Sequence, residues 1–278
     1  MHFPSLKNFK LWQDSIKSSI IILGIIELLI TIIGISLLDF FPDSSWGLRL
    51  LWLLCFFSIL VLFFSFYKSI LVKYFFKIKV KNITIHIKQG DIFNADGKKV
   101  IPFNEYFDTN VDDKVISKKT LHGIFINKYI DDIGCLKQEI ENSDNSNTSL
   151  GKYTKNNRGV YPLGRIIPFK DFFLLSFSKF NEHNEACLTK SEYEKCLVIM
   201  WEEVCRKYAH YPVFLPLLGS GITRIEDWLD RTDNDLLKSM LRTLYISGVD
   251  IRKPITIVLT KEAINRINLY ELKGVKFL

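Results

Sequence analysis

Residues 212–228 read PVFLPLLGSGITRIEDW, and their reading decides the fold. Val213 to Leu218 form a short apolar run closed by Gly219, the pattern of a strand buried on both faces. Gly219, Ser220 and Gly221 then make a tight turn, and a helix is expected to begin near Ile225. A strand end, a glycine-rich turn and a helix N-terminus together present backbone N–H groups and a positive dipole end to an anion. Glycine lets a phosphate approach the backbone with no Cβ in the way. The hydroxyls of Ser220 and Thr223 would add donors. The stretch is not a P-loop, because no Gly-Lys-Ser/Thr follows, and it is not a GxGxxG fingerprint. By itself it reads first as a plain strand-to-helix turn, with phosphate binding as the alternative.

Working outward, strand and helix patterns alternate. KNITIHIK (81–88), VIPFN (100–104), GIFINKYI (123–130), GRIIPF (164–169), FFLLSFS (172–178) and ITIVLT (255–260) read as strands. Residues 188–209 carry helical spacing through Tyr193, Leu197, Met200, Trp201, Val204 and Tyr208. Residues 225–246 read as a second long helix and 261–267 as a short one. This alternation predicts an α/β sandwich with a mixed sheet and covering helices. The polar stretch 141–159, rich in Asn, Ser and Gly, is expected to be a surface insertion.

A second stretch, IHIKQGDIFNADGKKVIPFNEYFDT (85–109), places Asp91 just after a strand that ends at Gly90. In an α/β sheet that edge is where ligands bind. A carboxylate there can accept from an adenine amino group, or it can simply cap a turn.

The first 75 residues differ from the rest. Ser18 to Leu38 hold nine Ile, five Leu and a single charge, Glu27. Leu50 to Tyr67 hold no charge, and this run extends to about residue 70. A membrane span needs roughly 20 residues. At the helix centre a buried carboxylate costs about 2.5–3.5 kcal/mol, while fourteen Ile and Leu return roughly 4–8 kcal/mol, so insertion is still favoured. No signal-peptide cleavage pattern follows. Lys7, Lys10 and Lys17 precede the first run, and Lys68, Lys73, Lys77, Lys79 and Lys81 follow the second. The positive-inside rule therefore predicts a multi-pass protein of the cell (inner) membrane with both termini cytoplasmic. Residues 1–78 are read as a membrane hairpin with helices at about 18–38 and 50–70, and 79–278 as the soluble domain. Gly24, Glu27, Thr31 and Gly34 fall on one stripe of the first helix, which suits packing on a neighbouring helix or subunit, or lining a polar path in a homo-oligomer.

Composition agrees. The 278 residues are 48% hydrophobic and 24% charged, with formal net charge +7; the mean hydropathy is +0.12. A disordered chain is excluded. Because much of the positive charge flanks the apolar runs, a lipid bilayer takes precedence over nucleic acid as the partner. The five Cys show no CxxC pair and the five His no HExxH, so no metal site and no disulfide framework are expected.

QGDIF, VIPFN and LPLLGSG, in that order, resemble a macro domain over roughly residues 80–278. The resemblance implies an ADP-ribose-derived nucleotide as activating ligand rather than a cofactor. Asp91 and Ile92 would take the adenine end, Leu218, Gly219, Ser220, Gly221, Ile222 and Thr223 the diphosphate, and Asn104 and Phe107 the ribose. Hydrolytic macro domains carry an Asn-rich strand end and a glycine run near the distal ribose. The corresponding 100–123 stretch here lacks the glycine run, so no catalytic residue is assigned and a binding module is favoured. A membrane-tethered ADP-ribosyl hydrolase is the alternative. Two membrane helices joined to such a domain, with NEYFDT and LPLLGSGITR, resemble the macro-domain effectors of the Thoeris anti-phage system. That resemblance implies a signal nucleotide made by a TIR-domain partner, membrane disruption and abortive infection.

Overall fold

The computed structural model describes residues 4–32, 45–74, 76–113, 115–143, 153–155, 158–181 and 185–273. The chain forms two compact units, Met1–Phe76 with Asn265–Val275, and Lys77–Ile264 with Lys276–Leu278.

The first unit is a helical hairpin. After a 3-10 turn at Pro4–Lys7 come α1 (Phe9–Ile32) and α2 (Trp46–Tyr74). Among the described residues these two helices are long and apolar enough to cross a membrane. Their apolar side chains point outward: Ile20 is 57% exposed, Leu29 59% and Leu62 58%. A soluble core helix would bury such residues; a lipid-facing one does not need to. The seam between the helices is small and polar instead. Leu11, Ser15 and Ser19 of α1 are buried, as are Val61, Ser65, Ser69 and Lys73 of α2. The signal for this seam is a Ser-x3-Ser pair in each helix, the spacing that lets two backbones approach closely. Gly24 and Thr31 of the expected stripe are exposed and lie off the seam, and Gly24 has nothing within 4 Å of where a Cβ would stand. Gly34 lies outside the described residues, as do positions 33–38 of the first expected span.

The second unit is a mixed sheet with helices on both faces. Its strands are β1 (Phe76–Val80), β2 (Ile83–Gln89), β3 (Lys98–Asn104), β6 (Ile166–Phe169), β7 (Phe172–Phe180), β8 (Ala186–Leu188), β9 (Val213–Pro216), β10 (Arg224–Ile225) and β11 (Ile255–Leu259). β4 (Tyr153–Lys155) and β5 (Arg158–Val160) form a separate antiparallel ribbon, so part of the expected insertion is a short hairpin; residues 144–152 and 156–157 lie outside the described set. The order across the large sheet is β1-β2-β11-β9-β3-β7-β8-β10, with β6 beside β7. β2, β11, β9, β3 and β7 run parallel, while β6 and β8 run antiparallel to β7.

The helices are α3 (Leu121–Tyr129), α4 (Ile133–Asn142), α5 (Lys190–Lys207), α6 (Asp233–Ser247), α7 (Lys261–Arg266) and α8 (Leu269–Leu272), the last in the first unit. Strand alternation sorts the core. Ile101 and Phe103 of β3 and Phe172 and Leu174 of β7 join Phe125 and Ile126 of α3 and Leu136 and Ile140 of α4. α5 packs on the sheet with Trp201, Tyr193 and Met200 fully buried, and α6 packs on α5.

Two expectations are corrected. GIFINKYI is not a strand but lies largely in α3: Thr120 caps the helix by accepting from Gly123 N, and Leu121–Phe125 and His122–Ile126 are i, i+4 pairs. The strand-favouring run Ile124, Phe125, Ile126, β-branched and aromatic, is outweighed by that cap and periodicity. The second long helix starts at Asp233, not near Ile225, because Thr232 and Asp235 form a capping box; residues 224–225 are strand. Residues 265–273 cluster with the first unit, and Ile267, Leu269, Tyr270 and Leu272 are buried there.

Candidate functional site

Five parallel strands bring their C-terminal ends to one edge of the sheet, the edge where α/β ligands bind. β2 ends there at Gln89, and the N–H of the next residue, Gly90, donates to Leu259 O of β11 at 3.0 Å. On the other side of β11, Val258 pairs with Pro216, so the loop after β9 starts two strands from Asp91. Two strand spacings are about 10 Å, a gap the size of a nucleoside. β3 comes next and ends at Asn104. Asp91–Ile92, loop 217–223 and Asn104 therefore stand in a row along this edge in the strand order β2, β9, β3.

Asp91 is exposed and caps the 3-10 turn Ile92–Asn94 by accepting from Phe93 N at 3.0 Å. One carboxylate oxygen is thus used locally, and the other is left for a second donor. Ile92 is buried with Phe214 and Val258, which fixes the turn on the sheet. Among the described residues the Ile92 N–H donates to no protein acceptor.

The loop after β9 is held from both ends. The Tyr193 hydroxyl of α5 donates to Leu218 O at 3.0 Å. Burial pushes the Tyr193 phenol up, so it stays protonated and remains a donor. Arg231 donates to Thr223 O at 3.0 Å and to Trp228 O at 3.2 Å. Ser220 closes the turn, its hydroxyl donating to Leu217 O at 2.7 Å. In a trans peptide the N–H points away from the C=O, so pinning Leu218 O inward turns Gly219 N–H outward. Among the described residues the N–H groups of Gly219, Gly221, Ile222 and Thr223 donate to no protein acceptor. These are four open backbone donors within five residues of one loop, groups of the kind that bind oxyanions.

The two glycines have different reasons. Gly219 has φ +86°, and a Cβ there would stand 3.1 Å from Leu236 and 3.2 Å from Tyr193, so the fold itself requires glycine. At Gly221 nothing lies within 4 Å of a Cβ position. The space above Gly221 is open, and a side chain there would fill the approach to the donors. Ser220 and Ile222 are exposed, while Leu218 and Thr223 are buried. No helix N-terminus follows this loop directly, because α6 begins ten residues later. The donors are those of the loop backbone, without the dipole that the expected helix would have added.

The loop after β3 is self-contained. Asn104 is buried; its Oδ1 accepts from Tyr106 N at 3.0 Å and Asp108 N at 3.2 Å, and its Nδ2 donates to Asp108 Oδ2 at 3.0 Å. Its amide thus shapes the loop. Phe107 is buried, with its ring edge-on to Tyr161 and 5.6 Å from Phe103. His122 Nε2 donates to Asp108 O at 2.9 Å, and burial pushes the imidazole down to about 3. Tyr193, Arg231 and His122 are supporting residues that the sequence reading did not pick out. Tyr193 was read as a helix core position, and nothing local marks it as a loop anchor. Among the described residues no group of three or more His, Cys, Asp or Glu side chains could hold a metal ion.

A mixed α/β sheet with an open-donor loop at its C-terminal edge and an aspartate two strands away defines the class: a macro domain, here carried with a two-helix apolar hairpin. A family model described as Thoeris protein ThsA, Macro domain matches residues 85–260. The Thoeris protein ThsA of Bacillus amyloliquefaciens (strain Y2) is 41% identical over 225 residues, covering 73% of this chain and 74% of that protein. The chain belongs to the ThsA family of Thoeris proteins. Solved structures of similar fold include an Oceanobacillus iheyensis macrodomain mutant with ADPR, 15% identical, covering 71% of this chain and 96% of that chain at TM-score 0.46. The Oceanobacillus iheyensis macrodomain with ADP is 14% identical, covering 71% and 94% at TM-score 0.45.

Proposed function

We propose that this chain is a membrane-anchored anti-phage effector whose macro domain binds an ADP-ribose-derived signal nucleotide made by a TIR-domain partner. The observation that carries the reading is the row of open N–H donors at Gly219, Gly221, Ile222 and Thr223, beside Asp91 along the same sheet edge. The donors suit the diphosphate. Asp91 and the Ile92 N–H pair an acceptor with a donor, and the Watson–Crick edge of adenine presents the complement, an amino donor beside a ring acceptor. Family membership supports the same ligand class.

Occupancy then shifts an oligomer to a state in which the hairpins breach the inner membrane, with both termini on the cytoplasmic side. A 1:99 to 99:1 swing needs about 5.5 kcal/mol of differential binding, which several sites in one homo-oligomer share. The stripe at Gly24, Glu27 and Thr31 is the packing surface between subunits in this account, with Gly34 continuing it in sequence. The chain acts as a ligand-gated effector and not as an enzyme. Asn104, the one amide at the ribose end, is engaged in shaping its own loop.

Calorimetry of the full chain in detergent with ADP-ribose tests the site, and dye release from liposomes tests the consequence. Saturable binding without turnover supports the reading. Turnover of ADP-ribosylated protein would replace it with the hydrolase, and no nucleotide affinity at all would end both.

A further inference from the structure

Residues 265–273, which follow the last strand and α7, cluster with the base of the hairpin. Asn265 Oδ1 accepts from Lys73 Nζ of α2 at 2.6 Å. The Tyr270 hydroxyl donates to the Asp14 carboxylate of α1, across 256 positions of sequence. Lys10 Nζ donates to Lys273 O at 2.8 Å, and Lys273 Nζ lies 3.9 Å from Asp14 Oδ2. Lys68 of α2 donates to Asp14 O and, at 2.7 Å, to Ser18 Oγ. Tyr270 and Leu272 are fully buried. Asp14 is thus the node where α1, α2 and the C-terminal segment meet.

The other end of this segment starts at the nucleotide edge. β11 ends at Leu259, whose carbonyl holds Gly90 next to Asp91. Thr260 follows and caps α7, accepting from Ala263 N at 3.2 Å. Five residues separate Leu259 from Asn265, and α7 occupies all but the first of them. A site can influence another only through an element whose arrangement both bias, and this is a short, helical, covalent one.

We infer that residues 260–273 are the strap through which nucleotide occupancy at Asp91 is transmitted to the membrane hairpin, gripped at its far end by the Tyr270–Asp14 bond. This rests on the site reading above. It requires that loosening the grip separate binding from its membrane effect.

The test uses the full chain reconstituted in dye-loaded liposomes of phosphatidylethanolamine and phosphatidylglycerol, with ADP-ribose as probe and calorimetry on the same preparation. Tyr270→Phe removes only a hydroxyl, and Asp14→Asn removes the charge and turns one acceptor oxygen into a donor. Both variants are expected to bind ADP-ribose within about twofold of the unaltered chain, while ADP-ribose-dependent dye release falls about tenfold, inside the usual range of coupling between sites. Retained binding is itself the control for folding. Variants that release dye as the unaltered chain does would overturn the strap. So would an unaltered chain that binds ADP-ribose but releases no dye. Failure of the unaltered chain to bind ADP-ribose would instead sink the site reading, and the strap with it.

Discussion

The hydroxyl of Tyr193 donates to the carbonyl oxygen of Leu218 at 3.0 Å, joining helix α5 to the start of the donor loop. This bond aims the N–H of Gly219. In Tyr193→Phe a buried carbonyl loses its donor, which costs about 1–3 kcal/mol. We expect a lower thermal midpoint together with weaker ADP-ribose binding. Adenosine, which lacks the diphosphate, should bind as before, and calorimetry with the two ligands checks this.

The glycines of the loop predict opposite behaviours. Gly221→Val meets no atom within 4 Å at its Cβ, so the chain should fold with an unchanged midpoint and lose nucleotide affinity. Gly219→Ala is strained by its φ of +86° and crowds Leu236 and Tyr193, so it should unfold at lower temperature, by about 1–3 kcal/mol. Circular dichroism melts set beside calorimetry separate the two. A Gly221→Val chain that binds normally would remove the loop from the site.

Asp91→Asn keeps an oxygen for the Phe93 N–H cap but turns the remaining acceptor into a donor. We expect stability close to normal and ADP-ribose affinity reduced by about 1.5–3 kcal/mol, the value of a charge-assisted hydrogen bond. Inosine diphosphate ribose, which presents a carbonyl where adenine has its amino group, should lose less on this substitution than ADP-ribose does.

His122 sets a pH dependence. Burial holds its folded pKa near 3, and its unfolded value is about 6.5. Above pH 6.5 both states are neutral there, and His122 has no effect. Below it the unfolded chain takes up a proton that the folded chain refuses, so stability is lost as pH falls from about 6.5 toward 3, by at most ~1.4 kcal/mol per pH unit. Urea unfolding at pH 7 and pH 5 should show the drop, and His122→Gln should lessen it.

Gly24 faces away from the seam between α1 and α2. If the stripe joins subunits, Gly24→Leu leaves ADP-ribose binding intact and lowers ADP-ribose-dependent dye release from liposomes. Equal release from both proteins would place the subunit contact elsewhere.

Much of this was readable in advance where one physical signal dominated. The strand and turn at 213–221 were legible because an apolar run closed by two glycines admits few alternatives. The two long helices of the hairpin were legible because each run is apolar and almost uncharged over about 20 residues. α3 was misread because Ile124, Phe125 and Ile126 favour strands locally, while its cap at Thr120 and the i, i+4 pairs act over a longer window. The start of α6 was misplaced because Ile225, Trp228 and Leu229 continue its apolar spacing, although Thr232 and Asp235 mark the cap. What no local pattern could reveal was long-range: Tyr193 under Leu218, Arg231 on Thr223, and Tyr270 on Asp14 join residues 25, 8 and 256 positions apart.

The most direct test is a calorimetric titration of the full chain in detergent with ADP-ribose, run beside Gly221→Val. Saturable one-to-one binding that the valine abolishes, in a protein that still melts at the same temperature, is the expected result. No heat from the unaltered chain, or identical isotherms from both, would contradict the assignment of the 217–223 loop as the seat of the nucleotide.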